Sequence, residues 1–259
     1  MASTPVAIVV PHKAQSLDIS GPLDAFLEAN RQAPGRCNYD VRLLSASPDR
    51  AVTAAGMSLV THGSIFEDEG PIDTLLVAGT PDYAQAYAES AARVLLRRHA
   101  LRSRRHGSVC TGAFFLGAAG LLDWLNVTTH WQHAAELAER FPAAKVTSDR
   151  IFVQDGSLWT SAGVTAGIDL ALKLIEDDHG RDVALSVARR DERAQFYPRI
   201  SAGSGDDTGG LRRDGACRFG ATAARRHRQT VAARRIPLRL CKSRHHAACF
   251  PAAARNRAQ

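Results

Sequence analysis

Apolar positions in the first 190 residues recur with two periods. Short apolar or alternating runs read as strands, and longer stretches with apolar residues three and four apart read as amphipathic helices. "VAIVV" (6–10) is the first strand, and "PLDAFLEANRQA" (22–33) predicts a helix, since proline suits a first helical turn. "YDVRLLSAS" and "SLVTHGSI" alternate as strands do, and "IDTLLVAGT" (72–80) predicts a buried strand ending at Gly79. "SAARVLLRRHALRSR" (90–104) predicts a helix with Val94, Leu95, Leu96 and Leu101 inward. The Arg97-Arg98 and Arg104-Arg105 pairs then read as a solvated face. "RHGSVCTGAFFLGAAGLL" (105–122) passes from a strand pattern into an apolar helix and places Cys110 at the turn. "NVTTHW" and the helix "QHAAELAERF" follow, and "KVTSDRIFVQDGSLWTSAG" (145–163) reads as a hairpin around Asp155-Gly156. "VTAGIDLALKLIEDDHG" (164–180) predicts a helix ending at Gly180, and "RDVALSVARR" starts another. Strands alternating with helices of this length imply α/β packing around a mostly parallel sheet.

Beyond Arg190 both periods stop. Residues 191–259 are rich in Arg, Ala and Gly and poor in Leu, Ile, Val and Phe, a composition that favours disorder. Charge divides at the same place. Residues 1–190 carry 18 Lys and Arg against 21 Asp and Glu, a net of −3, and residues 191–259 carry 15 against 5, a net of +10. The net charge of +7 therefore describes neither part. The expected organisation is an α/β domain over 1–190 and a basic tail over 191–259. No run reaches the roughly 18–20 apolar residues of a membrane span. The N-terminus lacks the basic start of a signal peptide, so the expected compartment is the cytoplasm. Five cysteines, an odd number, point to free thiols rather than a disulfide framework.

A cysteine at a strand-to-helix turn stands at the carboxyl edge of a parallel sheet, where α/β proteins place their sites. The N-terminus of the following helix favours a thiolate, which makes Cys110 a candidate nucleophile. The competing reading is an inert buried cysteine, and spacing alone leaves the two level. Cys37, in "GRCNYD", has no such context. "SAGVTAG" permits close backbone approach to a ligand or close helix–sheet packing, and Thr165 and Asp169 read as caps of the helix they open.

"LDISGPLDAF" (17–26), "LLVAGT" (75–80), "GSVCTGAFFLGAAGLLD" (107–123), "TTHW" (128–131) and "WTSAGVTAGIDLALKLIEDDHG" (159–180) together resemble the ThiJ/PfpI (class I glutamine-amidotransferase-like) superfamily. More narrowly, they resemble the sensor domain of AraC-type transcriptional regulators of the amidase-like group, to which isonitrile hydratases are close. The resemblance covers about residues 4–190. It implies a flavodoxin-like sandwich with Cys110 at the nucleophile elbow and Asp18 as the acid beside its sulfur. It also implies backbone donors of oxyanion type at Gly79 or Thr80 and at Thr111. The protease-like members have His directly after the cysteine, whereas this chain has Thr111, which argues against peptidase or amidase activity. Asp18 is thus a partner for the thiol or, alternatively, the cap of the helix near Pro22. His130 in "TTHW" is a candidate to line the same pocket, or a packed, hydrogen-bonded core histidine.

Two functions follow from the resemblance. One is a regulator whose sensor binds a small molecule near Cys110 and Asp18. The other is a cysteine-dependent hydratase of isonitrile hydratase type, with Cys110 and Asp18 catalytic. A redox or stress-response role for Cys110 ranks behind both. No cofactor or metal is expected, and family members commonly dimerise, so the resemblance implies a homodimer. In the resembled regulators a pair of helix-turn-helix units follows the sensor, and the tail lacks the apolar spacing to hold such helices. It reads as a basic segment binding nucleic acid through phosphates, or as the product of a reading-frame shift near codon 190. "CKSRHHAAC" brings Cys241, His245, His246 and Cys249 close, without the paired C-x₂₋₄-C half of a zinc site. DNA is a partner only if that region is functional.

Overall fold

A computed structural model describes residues 2–84 and 90–189. In chain order its strands are β1 (Thr4–Val10), β2 (Tyr39–Ser45), β3 (Ala51–Ala54), β4 (Met57–Val60), β5 (Gly63–Ser64) and β6 (Thr74–Val77). They continue with β7 (Arg105–Val109), β8 (Asn126–Thr128), β9 (Lys145–Thr147), β10 (Phe152–Asp155) and β11 (Leu158–Ser161). The helices are α1 (Ser16–Gln32), α2 (Ser90–Arg102), α3 (Ala113–Ala118), α4 (Ala134–Arg140), α5 (Ala166–His179) and α6 (Arg181–Arg189). The seven-stranded sheet has the order β10-β11-β7-β6-β1-β2-β5, parallel throughout except for β10 against β11.

Strand alternation sorts side chains to two cores. Val6, Ile8 and Val10 of β1 pack with Phe26 of α1, Leu170 and Leu174 of α5 and Val183 of α6. Ala7 and Val9 face the other way, toward Leu96 of α2, Phe114 of α3 and Leu137 of α4. The result is a flavodoxin-like three-layer sandwich in which the central parallel strands are covered on both faces, as their short apolar runs require.

Several local expectations shift. Helix α1 starts at Ser16, so Pro22 lies inside it rather than at its first turn. Asp18 therefore sits in the first turn, fully buried, and does not cap the helix near Pro22. In α2, Leu96 is buried as expected, but Val94 and Leu101 are exposed, and His99 and Ala100 face inward instead. "SLVTHGSI" divides: β4 pairs with β3 in a separate antiparallel hairpin, and β5 joins the edge of the main sheet. Lys145–Thr147 pairs with β8, leaving the hairpin turn at Asp155-Gly156 to join β10 and β11. Thr165 stands at the start of α5 without a side-chain cap bond.

The arginine pairs are only in part a solvated face: Arg97 and Arg104 are exposed, Arg98 is half-buried and Arg105 is buried. Arg97 donates to the carbonyls of Ala119 and Gly120 beyond the end of α3. Arg105, the first residue of β7, is buried; it donates to Thr74 and pairs with Asp178 of α5. Arg104 bridges Asp73 and Asp178, and the Tyr39 hydroxyl also donates to Asp178.

No helix among the described residues is long and apolar enough to cross a membrane. The readings placed on the tail lie outside the described residues. These are the basic region over 191–259, its DNA contacts and the Cys241–His245–His246–Cys249 cluster.

Candidate functional site

Strands β1, β6, β7 and β11 run parallel, so the loops after them meet at one edge of the sheet. β7 delivers Cys110 there in a left-handed conformation, φ 58°, and a single 3-10 turn, Cys110–Gly112, leads into α3. A non-glycine residue in that region costs free energy and persists only where its surroundings hold it. The hold is visible. The Thr129 hydroxyl donates to the Cys110 carbonyl at 2.8 Å. The Thr111 hydroxyl donates to the Thr80 carbonyl at 2.7 Å and accepts the Thr80 N–H at 2.8 Å, pinning the elbow to the loop after β6. Thr80 in turn donates its hydroxyl to the carbonyls of His12 and Lys13 after β1.

Two glycines let the loops close on the cysteine. A Cβ on Gly79 would stand 2.5 Å from Asp18 Oδ2 and 2.7 Å from Cys110 Cβ. Gly163, at φ 101°, faces Cys110 so closely that a Cβ would lie 2.7 Å from Sγ. The close approach allowed by "SAGVTAG" is thus an approach to Cys110 itself. Val164, also left-handed at φ 55°, donates its N–H to Asp18 Oδ1 at 2.8 Å.

Asp18 and Cys110 are both buried and lie side by side. Burial raises the Asp18 carboxyl above the ordinary carboxylate range, although the Val164 N–H, the neighbouring thiol and the Gly79 N–H oppose the rise. Its Oδ2 has no hydrogen bond of good geometry. The Cys110 thiol is pushed up to about 12, first by burial and then by the Asp18 charge, against the pull of the Thr111 N–H. Burial and the neighbouring Asp18 thus oppose the thiolate that the helix terminus favours, and α3 has only six residues. Cys110 rests as a neutral thiol near neutral pH. Iodoacetamide is expected to alkylate it at least about a hundredfold more slowly than an exposed thiol, with the rate climbing toward pH 12. Mass-spectrometric peptide mapping reads this, and modification as fast as that of an ordinary cysteine would contradict the protonated state.

The structure brings Asp18, Gly79, Thr80, Cys110 and Thr111 into one cluster. Within it the Thr80 N–H is committed to Thr111, and the Thr111 N–H faces the Cys110 sulfur. His130 stands further out, near enough for its charge to act on Asp18. It is half-buried and stacks on the exposed ring of Trp131, with Nδ1 accepting the Gln132 N–H at 3.4 Å, so it is not a core histidine. Among the described residues no histidine is hydrogen-bonded to the Cys110 sulfur. Thr129 and Val164 were not singled out from the sequence, although both lie within the quoted motifs. No group of three or more His, Cys, Asp or Glu among the described residues is placed to hold a metal ion.

Comparison with known proteins places the chain in a family. The isonitrile hydratase of Pseudomonas putida is 33% identical over 194 residues, covering 75% of this chain and 80% of the relative. The HTH-type transcriptional regulator GbdR of Pseudomonas aeruginosa is 32% identical over 172 residues, 66% of this chain and 46% of the regulator. The chain thus matches about half the length of that regulator. Among solved structures, a ThiJ/PfpI family protein from Pseudomonas syringae superposes with a TM-score of 0.64 at 24% identity, covering 79% of this chain and 80% of that one. The family model for DJ-1/PfpI matches residues 4–177, and the chain belongs to the DJ-1/PfpI family.

Proposed function

We propose that residues 1–190 form the small-molecule-sensing domain of a transcriptional regulator of the AraC-type, amidase-like group. In this reading the site around Cys110 and Asp18 binds its ligand without turnover. Gly79, Thr80, Thr111 and His130 surround the ligand. The observation that carries the reading is the buried Cys110 thiol beside the buried Asp18 carboxyl, with no histidine among the described residues hydrogen-bonded to the sulfur. A nucleophilic cysteine for acyl transfer needs a base within hydrogen-bond reach, whereas a sensor needs only a shaped polar site. Similarity to GbdR supports the regulator class. Coupling of ligand to DNA would run through the region beyond residue 190.

One observation favours a second reading. The match to isonitrile hydratase spans most of that enzyme, and Asp18 adjoins the sulfur as a proton-transfer group would. In a hydratase, Cys110 Sγ would bond to the isonitrile carbon while its proton passes, through Asp18, to the same carbon, giving a thioimidate. Water would then add at that carbon and the thiol would leave, releasing an N-substituted formamide and restoring both residues.

The test incubates the full chain and its Cys110→Ala variant with an alkyl isonitrile and follows formamide formation by NMR. The sensor reading expects both proteins to stay at the uncatalysed rate. Turnover by the wild type that disappears in the variant would replace it with the hydratase reading.

A further inference from the structure

We infer that the cavity between the end of α2 and the loop leading into β6 is a binding site for a small, doubly charged oxyanion. It is distinct from the Cys110 site. The cavity, about 470 Å³, is lined by Arg98, His99 and Arg102 of α2 and by Glu69, Gly70, Pro71 and Ile72 of the loop. That volume lies within the range of small-molecule sites. β6 begins at Thr74, so the cavity opens at the amino edge of the sheet, whereas Cys110 follows the carboxyl end of β7.

The arginines give the site its chemistry. Most arginines of the domain are engaged: Arg31 with Glu28, Arg36 with Asp182, Arg42 with Asp68, Arg50 with Glu67, and Arg104 and Arg105 with Asp178. Arg98 and Arg102 have no hydrogen bond or ion pair among the described residues. They are four apart on one helix and therefore share a face. Arg98 Nε is shielded from water without a partner, so the guanidinium is not satisfied by the protein around it.

Between the two arginines, His99 is 6% exposed, with Nε2 3.4 Å from the Ile65 carbonyl. Its pKa is lowered first by burial and then by the Arg98 and Arg102 charges, against the Ile65 carbonyl and the Asp68 charge. The cavity's acidic lining residue, Glu69, is solvent-exposed; the adjacent Asp68 engages Arg42 through Oδ1, while its buried Oδ2 has no partner and its charge acts on His99. Carbonyls at a helix C-terminus also favour arginine. That accounts for Arg102 at the last position of α2, but not for the sealed Nε of Arg98 or for the cavity. Two guanidinium groups facing one space match the forked geometry of a phosphate or a pair of carboxylates.

Calorimetric titration of the full chain with inorganic phosphate, and separately with malonate, tests the inference at matched ionic strength. Arg98→Gln/Arg102→Gln is expected to weaken binding by about tenfold or more. Arg181→Gln/Arg189→Gln removes equal charge from exposed positions of α6, and it should bind as the wild type does. Cys110→Ala should also bind as the wild type, separating this site from the proposed sensor site. Circular dichroism checks that each variant folds. Preference for phosphate assigns a phosphate ester and preference for malonate a dicarboxylate; either supports the site. Equal weakening in the two arginine variants, or no saturable binding of either anion, overturns it.

Discussion

Asp178→Ala is expected to destabilise the domain by about 3–5 kcal/mol, lowering its melting temperature by about 6–20 °C. Arg105 enters the sheet as the first residue of β7, with its side chain 5% exposed, and Asp178 meets it from α5 with a side chain 10% exposed. Removing the carboxylate leaves the Arg105 guanidinium buried without its counter-charge. It also takes an acceptor from Arg104 and from the Tyr39 hydroxyl. The cost comes from the stranded charge rather than from the pair's net contribution, since a buried pair barely outweighs its own desolvation. The double variant Arg105→Leu/Asp178→Leu should therefore recover part of the loss. Calorimetric melting of the three proteins checks this, and a double variant weaker than the single would refute it.

Gly112→Ala is expected to have an effect of similar size, by a steric route. A Cβ on Gly112 would overlap the Val77 carbonyl oxygen and stand 2.9 Å from the Val77 carbonyl carbon. Backbone in the middle of a sheet cannot rotate aside as a flexible side chain can. The cost belongs at the upper end of overpacking, about 3 kcal/mol, or about 6–12 °C in melting temperature. The displacement would fall on the turn that holds Cys110 against Thr80, so iodoacetamide should reach the thiol faster than in the wild type. Gly63→Ala is the control. Its Cβ would meet only the Leu44 side chain, at 3.4 Å, and stability should stay within about 0.5 kcal/mol of the wild type. A Gly112→Ala protein as stable as that control would refute the argument.

The site was legible where the chain itself carries the signal. A strand pattern running into an apolar helix places Cys110 at a turn whatever the rest of the molecule does. The glycines at 79 and 163 mark positions where something must come close. The state of the thiol was not legible in that way. Reasoning from the turn and the following helix favours a thiolate, because it sees the helix terminus and not the carboxyl that packs beside the sulfur. Asp18 is 92 residues away in sequence, and its orientation is fixed by Val164, a further 146 residues from it. Likewise, the sequence 90–104 shows five arginines and an outward-looking pattern. It carries no sign that β6, β11 and α5 close around residue 105 and bury it.

Sequence by itself determined the alternation of strands and helices that builds the α/β domain, including the central strands β1, β6 and β7 and the helix α5. It also determined the hairpin at Asp155-Gly156, the division of charge near residue 190 and the position of Cys110 at the end of a central strand. Apart from the charge division, which is composition, each rests on hydrophobic period or turn chemistry within a dozen residues. Tertiary structure decided that α1 extends back to Ser16 and carries Asp18 into the interior, and that His99 rather than Leu101 faces the sheet. It further decided that Arg105 is a buried ion-pair residue and that Cys110 is buried beside Asp18, which pushes its thiol pKa up. The physical reason is common to all four. Desolvation and charge pairing depend on which groups lie within a few ångströms, and in this fold those groups come from loops and helices far apart in the chain.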